Sequence, residues 1–246
     1  MIQKTPAPVR RSRGRPSTQS HATPVRELLL EAAIELVRDF GPTDTNATQV
    51  AERAGARPST INYHFSSLDY LLAEAGRRVY GEYTTFRWNA VAQAERNPEA
   101  RLRAYVHSQQ EWARQNPGWA AFFNFPLSAK RASDLMFERF GGEIRELFEL
   151  NYARFYRLAK DVSMGVVTPA DDWSEQANHS DILADREVLL EAIVMGWTTL
   201  GLVVWGARRH DDQLGGTVVR EFNQAAVEHA LEASIERLKQ RGQAGS

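Results

Sequence analysis

The sequence of 246 residues contains no cysteine, which excludes a disulfide framework and any thiolate metal site. It also lacks the G-x-S-x-G elbow, the H-E-x-x-H metal motif and the P-loop, three signatures of common enzyme sites. The six histidines show no metal-ligand spacing and lie at His21, His64, His107, His179, His210 and His229. We therefore expect neither catalysis nor a bound metal or cofactor.

Long apolar runs are also scarce. The most hydrophobic stretch without a charge runs from Ala192 to Ala207 and has 16 residues, whereas a bilayer span needs about 20. The amino terminus has no apolar core of the kind found in signal peptides. These absences favour a soluble, cytoplasmic protein without a membrane partner, in which Ala192 to Ala207 forms a buried helix.

Acidic residues are missing from residues 1–26, which carry six basic ones: Lys4, Arg10, Arg11, Arg13, Arg15 and Arg26. The whole chain has a net charge of −1, so the 24 remaining basic residues face 31 acidic ones and the rest of the chain carries −7. Residues 1–22 are rich in Pro, Arg, Ser and Thr, a composition typical of disordered segments. A cationic arm on an acidic body indicates an anionic partner for the arm.

Apolar residues recur at spacings of three and four, which predicts an all-α protein. We expect a first helix capped by Thr23-Pro24, a short second helix after Thr45, a third from Pro58, and a fourth opened by Ser66 and Asp69 as a capping box. Asn97-Pro98 and Asn116-Pro117 predict two further helix starts. The helical period continues through Leu102–Trp112, Leu135–Leu158, Val188–Trp205 and Val218–Leu238. A bend or close contact is expected at Gly141-Gly142, and a long loop at Asp161–Asp185.

The stretch VAERAGARPSTINYHF, residues 50–65, has the spacing of a helix-turn-helix. Ala51 is small where the next helix must cross, Gly55 suits a turn that needs positive φ, and Ile61 is the apolar residue that points back into the contact. This packing leaves one polar face on the third helix, formed by Arg57, Ser59, Thr60, Asn62, Tyr63 and His64. No acidic residue lies between Arg53 and Leu68, so the face suits the base edges and phosphates of double-stranded DNA. The alternative is an ordinary solvated face on a three-helix bundle.

These residues closely resemble the DNA-binding domain of the tetracycline-repressor (TetR) family. The motifs occur in the family's order as LLLEAAIELVRDFG, TNATQVAERAG, STINYHF and LLAEAG. Two positions depart from the family pattern: Arg57 stands where Ser, Thr or Asn caps the recognition helix, and Leu68 where a lysine contacts phosphate. The resemblance implies a helix-turn-helix domain over residues 23–68 and a helical effector-binding and dimerisation domain over 69–246.

Thr45 and Thr48, at the start of the second helix, are also included among the candidate DNA-binding residues. The arm sequence RRSRGRPS resembles Arg-Gly-Arg-Pro elements that enter the minor groove of A·T-rich DNA, so Arg13 and Arg15 are included. The alternative for residues 1–22 is a plain solvated tail.

The larger carboxy-terminal part carries many aromatic residues, from which we select candidate ligand-binding positions: Tyr105, Trp112, Phe122, Phe123, Tyr152, Phe155 and Trp197. Polar groups at His107, Gln109, Asn124 and Asn151 could orient a ligand among them. The alternative is that these aromatic residues only fill the core. Their content favours an apolar or aromatic small-molecule effector.

The predicted helix Arg186–Arg209 has apolar residues on nearly all of its faces. It therefore needs packing partners on both sides. Together with Val218–Leu238, it predicts a homodimer interface, and the alternative is a central helix buried within one subunit. The sequence therefore predicts a ligand-responsive homodimeric regulator, a repressor that binds a palindromic operator and is released by a small molecule. A sequence-tolerant architectural DNA-binding protein that uses the basic arm is the second interpretation.

Overall fold

The computed structural model describes residues 23–124, 130–169, 185–206 and 216–244. Within these ranges the chain forms nine α-helices and no strand, which confirms the predicted all-α class. The helices are α1 (Val25–Phe40), α2 (Ala47–Arg53), α3 (Pro58–Phe65), α4 (Leu68–Gln93), α5 (Pro98–Gln115), α6 (Pro117–Asn124), α7 (Lys130–Met164), α8 (Arg186–Gly206) and α9 (Gly216–Ala244). The basic arm, residues 1–22, lies outside the described residues.

Two of the predicted helix starts are wrong by one residue. Pro24, not Thr23, occupies the N-cap of α1, and no side chain caps that helix. The cap of α4 is Ser67, whose hydroxyl accepts a hydrogen bond from the Tyr70 backbone N–H at 3.2 Å. Ser66 has a φ of +68° and ends α3 instead. From the sequence alone, either Ser66 or Ser67 could cap α4. The turn between α3 and α4 places Ser67 at the cap.

The two Asn-Pro pairs behave differently. Asn97 caps α5, because its side-chain oxygen accepts a hydrogen bond from the Ala100 N–H at 3.0 Å. Asn116 ends α5, and its side chain donates to the Trp112 carbonyl at 3.0 Å and accepts from Arg38 at 3.1 Å. The Asn116 side chain therefore links the end of α5 to Arg38 of α1.

Helix α7 is bent, as the two glycines predict. The backbone leaves helical geometry at Phe140, with φ −117° and ψ 15°. A Cβ at Gly141 or Gly142 would meet no atom within 4 Å, so the alternative of a close contact there is wrong. The helix continues to Met164, four residues into the predicted loop. Residues 165–169 follow outside the helix, and residues 170–184 of the predicted loop lie outside the described residues.

Helices α8 and α9 pack as an antiparallel pair. Arg237 of α9 binds Glu191 of α8 through two hydrogen bonds of 2.8 and 2.9 Å, and Arg241 pairs with Glu187 one turn away. The side of α8 that carries Val188, Ala192 and Met195 is buried. The opposite side is exposed, with Leu190 at 44%, Ile193 at 36%, Val194 at 53% and Trp197 at 67%. The expectation of a helix buried on all sides within one subunit is therefore wrong.

None of the helices in the described ranges is both long enough and apolar enough to cross a membrane.

Candidate nucleic-acid interface

The contact between α2 and α3 has the predicted geometry. Ala51 and Ile61 are 0% and 1% exposed, so the small residue and the apolar residue meet inside the domain. Gly55 has a φ of +64° in the turn between the helices. The Ala56 N–H donates to the Ala51 carbonyl at 2.8 Å and closes that turn. The three spacings read from the sequence therefore serve packing, as predicted.

Helix α2 is held at its start by a reciprocal cap that the sequence analysis missed. The Asn46 side chain accepts from the Thr48 and Gln49 N–H groups at 3.0 and 3.1 Å. The Gln49 side chain accepts from the Asn46 N–H at 2.9 Å. An Asn followed by a Gln three residues later is a capping-box signature, so the signal was present.

The two threonines proposed for DNA contact differ in position. Thr48 is exposed at the start of α2. Thr45 is 5% exposed, and its hydroxyl donates to the Gly41 carbonyl at 2.8 Å. The predicted role of Thr45 is therefore corrected, because its hydroxyl is used inside the protein, in the turn between α1 and α2.

Helix α3 buries one side and exposes the other. Ile61 and Phe65 are buried, whereas Tyr63 is 84% exposed and its ring meets the His64 ring edge-on at 4.9 Å between centroids. Of the predicted polar face, four residues are exposed and two are half-buried; the exposed ones are Arg57, Ser59, Asn62 and Tyr63, and the half-buried ones are Thr60 and His64. This arrangement presents hydroxyl, amide and guanidinium groups on a short helix without a carboxylate.

The helix-turn-helix is attached to the rest of the chain through α1. Arg26 makes two hydrogen bonds to the Glu74 carboxylate of α4, at 2.6 and 2.7 Å. The Trp119 indole N–H of α6 donates to the Ile34 carbonyl of α1 at 3.0 Å, and Trp119 is fully buried. The orientation of the polar face is therefore set by contacts of α1 with α4 and α6.

Most of the aromatic residues selected as ligand candidates form one interior cluster. Tyr105, Trp112, Phe122 and Phe155 are buried, and Phe123 is half-buried against them. Ring centroids lie 4.8 Å apart for Tyr105 and Phe155, 6.1 Å for Trp112 and Phe123, and 5.6 Å for Phe122 and Phe123. The aromatic interior of this domain is therefore closely packed.

Two of the ligand candidates lie elsewhere. Tyr152 is 53% exposed on α7 and Trp197 is 67% exposed on α8. Their assignment to a ligand cavity is corrected, because both side chains point away from the aromatic cluster. Helical spacing places aromatic residues on a helix, and only packing against other helices decides which of them face inward.

The polar candidates divide in the same way. Asn151 is buried, accepts from the Trp88 indole N–H at 2.6 Å and donates to the Thr84 hydroxyl at 3.3 Å. Gln109 is buried and its Oε1 has no hydrogen-bond donor among the described residues. His107 is exposed and pairs with Glu228 at 3.0 Å. Asn124 donates to the Ala120 carbonyl of its own helix at 2.8 Å.

A charged group in this interior was missed by sequence reasoning. Arg87 of α4 is 5% exposed. Its Nη1 donates to the Tyr105 hydroxyl at 2.7 Å, and its guanidinium lies 3.9 Å from the centroid of the Tyr83 ring. Nothing in the sequence distinguishes Arg87 from Arg77 and Arg78, the two other arginines of α4, which are half-buried.

Among the residues that the structure describes, no group of three or more potential ligands is placed to hold a metal ion.

Comparison with known proteins agrees with this geometry. Residues 29–75 match the family model of bacterial regulatory proteins, tetR family. The chain is 26% identical over 166 residues to the HTH-type transcriptional regulator BetI of Rhizobium meliloti, covering 65% of this chain and 74% of that protein. It is 23% identical over 177 residues to the HTH-type transcriptional regulator RutR of Escherichia coli O157:H7, covering 68% and 79%.

Other BetI proteins match over a shorter part. For the one from Pectobacterium carotovorum, identity is 28% over 103 residues, which is 40% of this chain and 53% of the relative. A solved structure described as the fatty acid degradation regulator FadR from Bacillus halodurans superposes with a TM-score of 0.52 at 12% identity, covering 85% of this chain and 95% of that one. This last likeness concerns the fold alone. The motifs, the helix-turn-helix geometry and these relatives agree: residues 29–75 match a tetR-family DNA-binding domain, and the chain is similar to transcriptional regulators with a helix-turn-helix.

Proposed function

We propose that this regulator is a homodimeric repressor that binds a palindromic operator and is released by a small-molecule effector. The observation that carries the proposal is the exposed, carboxylate-free face of α3, with Tyr63 84% exposed at its centre. Side chains that donate hydrogen bonds from a helix of this kind reach base edges in the major groove.

The proposed DNA-binding surface consists of the α3 face and the start of α2, that is Thr48, Arg57, Ser59, Thr60, Asn62, Tyr63 and His64. Asn62 has the amide that pairs with adenine in the major groove, and Arg57 can reach phosphate or guanine. Arg13 and Arg15 of the arm add minor-groove contacts. These contacts strengthen binding but do not read the identity of individual bases.

The dimer is proposed to form through the exposed apolar side of α8. Leu190, Ile193, Val194 and Trp197 lie on this side, and Phe222 of α9 is 72% exposed. An apolar stripe of this extent favours contact with a second protein surface over contact with water. A second copy is the natural partner, since one helix-turn-helix reads few base pairs, and two copies held about 34 Å apart read two half-sites.

Release by an effector requires that the ligand bind two arrangements of the protein with different affinity. The DNA-binding helices are joined to the effector domain through Arg26–Glu74 and Trp119–Ile34. A ligand that shifts α4 or α6 would therefore change the angle of α1, and with it the distance between the two recognition helices. We expect an apolar or aromatic effector because of the aromatic interior.

The test is a gel shift with DNA that flanks the protein's own gene. A repressor of this kind binds a palindrome there at modest salt, and methylation or base changes in either half-site reduce binding. Absence of any bound palindrome would contradict the proposal. Affinity that falls steeply with salt but shows no sequence preference would instead favour the architectural alternative.

A further inference from the structure

Arg87 is a buried cation without an acidic partner. The residue is 5% exposed on α4, and none of its contacts in the described part of the chain is to a carboxylate. Its charge is met by the Tyr83 ring, whose centroid lies 3.9 Å from Cζ, and by the Tyr105 hydroxyl, which accepts from Nη1 at 2.7 Å. The neutral Tyr80 hydroxyl also hydrogen-bonds with the guanidinium. Its Nε has no hydrogen-bond acceptor among the residues that the structure describes.

These contacts compensate the guanidinium only in part. A buried charge is costly unless it is paired and hydrogen-bonded. Burial raises the pKa of Tyr83 to about 12, and of Tyr80 likewise to about 12, so both phenols stay neutral at physiological pH and supply no negative charge. Methionine or leucine at position 87 would fill an aromatic core at lower cost. The arginine therefore has a role other than packing.

We infer that Arg87 binds the carboxylate of an acidic effector whose remaining body is apolar or aromatic. The inference rests on the effector response proposed above and names the ligand's chemistry. A carboxylate supplies the missing charge, and the unpaired Nε–H is one of the two donors used when a carboxylate pairs side-on with arginine. Tyr83, Tyr105 and Phe155 give the body of the ligand an aromatic surface.

A second unsatisfied group lies close by in the fold. Gln109 is one helical turn beyond Tyr105 on α5, is 6% exposed, and its Oε1 has no hydrogen-bond donor in the described residues. A buried acceptor without a donor carries a desolvation cost that a ligand hydroxyl or amide N–H removes. Tyr105 therefore hydrogen-bonds Arg87 and lies one turn along α5 from the unpartnered acceptor of Gln109.

The position of Arg87 also links the ligand to DNA release. Arg87 lies on α4, the helix whose Glu74 binds Arg26 and whose Arg78 binds Glu27 and Glu31 of α1. Because Arg87 is buried, a carboxylate reaches it only after the aromatic side chains around it move. The bound form therefore differs from the closed form in the packing of α4, as differential binding requires.

The experiment measures the melting temperature of the full-length protein with each probe, and the affinity for each probe by isothermal titration calorimetry. The probes are carboxylic acids, each matched with its amide. The acids are the straight-chain carboxylates from butanoate to hexadecanoate, with benzoate, phenylacetate and 3-phenylpropanoate; the controls are their primary amides. We expect at least one acid to raise the melting temperature and to bind about tenfold or more tightly than its amide. Arg87→Met should abolish the preference for acid over amide.

Arg145→Met is the matched control, since it removes the same charge from an exposed position on α7 and should leave acid binding unchanged. If Arg87→Met fails to fold, Arg87→Lys serves instead, because it keeps the charge but loses the side-on pair and should weaken acid binding. Stabilisation by no acid, or equal binding of acid and amide, overturns the inference. Release of operator DNA by an amide but by no acid would overturn it while leaving the proposed effector response intact.

Discussion

Adjacent residues of α3 have opposite roles, and their exposure distinguishes them. Ile61 is 1% exposed and holds α3 against α2, whereas Tyr63 is 84% exposed. Asn62 is exposed beside it. A change at Ile61 should therefore act on folding, whereas changes at Asn62 and Tyr63 should act on the proposed DNA-binding surface.

Tyr63→Ala should therefore weaken operator binding by about 1–2 kcal/mol across all sequences, because the ring packs against the DNA backbone in the proposed complex. Asn62→Ala should instead change the base preference at one position of each half-site. Both are measured by fluorescence anisotropy with operator variants. The melting temperature of each variant should match that of the parent, and a drop of several degrees would show that the side chain supports the fold.

At the scale of elements, α1 and α6 meet in a close contact at the start of α6. A Cβ on Gly118 would lie 1.7 Å from the Val37 carbonyl oxygen and 2.9 Å from the Gly41 Cα. Both atoms belong to the backbone, at the end of α1. Only glycine allows this contact, so Gly118 fixes how near α6 comes to α1.

Gly118→Ala should lower the free energy of unfolding by about 1–3 kcal/mol, because backbone must move to admit the methyl group. The matched control is Gly81→Ala in α4, where a Cβ would meet nothing within 4 Å. That change should be neutral or stabilise by up to about 1 kcal/mol, since alanine favours helix. Urea unfolding measures both, and equal stability of the two variants would contradict the close contact.

The pair formed by α8 and α9 depends on an ion pair at Glu191. Burial opposes ionisation of this carboxyl, but hydrogen bonds from Arg237 and Ser234 and the positive charge nearby outweigh burial, so the pKa of Glu191 lies below its usual value. A carboxyl with a lowered pKa in the folded state stabilises the protein above the pKa of the unfolded chain, about 4.3 for glutamate. The contribution is lost as the pH falls through the lowered pKa.

Glu191→Gln should therefore reduce stability at neutral pH and make stability less dependent on pH below about 4.3. Denaturant unfolding between neutral and acid pH measures this. Glu187→Gln is the control on the same helix pair, because the Glu187 side chain is 63% exposed and water screens its pairing with Arg241. If both variants showed the same pH dependence as the parent, the Glu191 pair would not support the packing of α8 on α9.

For the whole molecule, the exposed apolar side of α8 points to an assembly larger than one chain. Trp197 is 67% exposed and Val194 is 53% exposed, side by side on a helix whose other side is buried. Within one chain this surface costs free energy in contact with water. The proposed dimer would remove that cost and would give the two α3 helices the fixed separation that a palindrome requires.

If the proposed dimer forms, Trp197→Glu should convert it to a monomer and weaken binding to the proposed operator, because a carboxylate would be buried without a partner in the proposed interface. Sedimentation velocity and gel shift measure the two effects. Phe137→Glu is the control, since Phe137 is also an exposed aromatic residue, at 48%, but lies on α7 outside the proposed interface. A dimer that persists in Trp197→Glu would contradict the proposed interface.

Sequence reasoning succeeded where the cause is local. Ala51, Gly55 and Ile61 were assigned their packing roles correctly, because residue size and positive φ are properties of single positions at fixed spacing. It failed at Thr45, where the direction of a hydroxyl depends on the turn around it, and at Tyr152 and Trp197, where composition cannot tell the inner side of a helix from the outer.

The amino-acid sequence alone determined the all-α class, the helix-turn-helix and its carboxylate-free face. The spacing of apolar residues, the residue types in turns and the placement of acidic residues each depend on a few neighbouring positions. Only the tertiary structure decided that Arg87 is enclosed by Tyr83 and Tyr105 and that one side of α8 is left uncovered. Such burial and exposure arise from contacts between helices distant along the chain, and no local pattern encodes them.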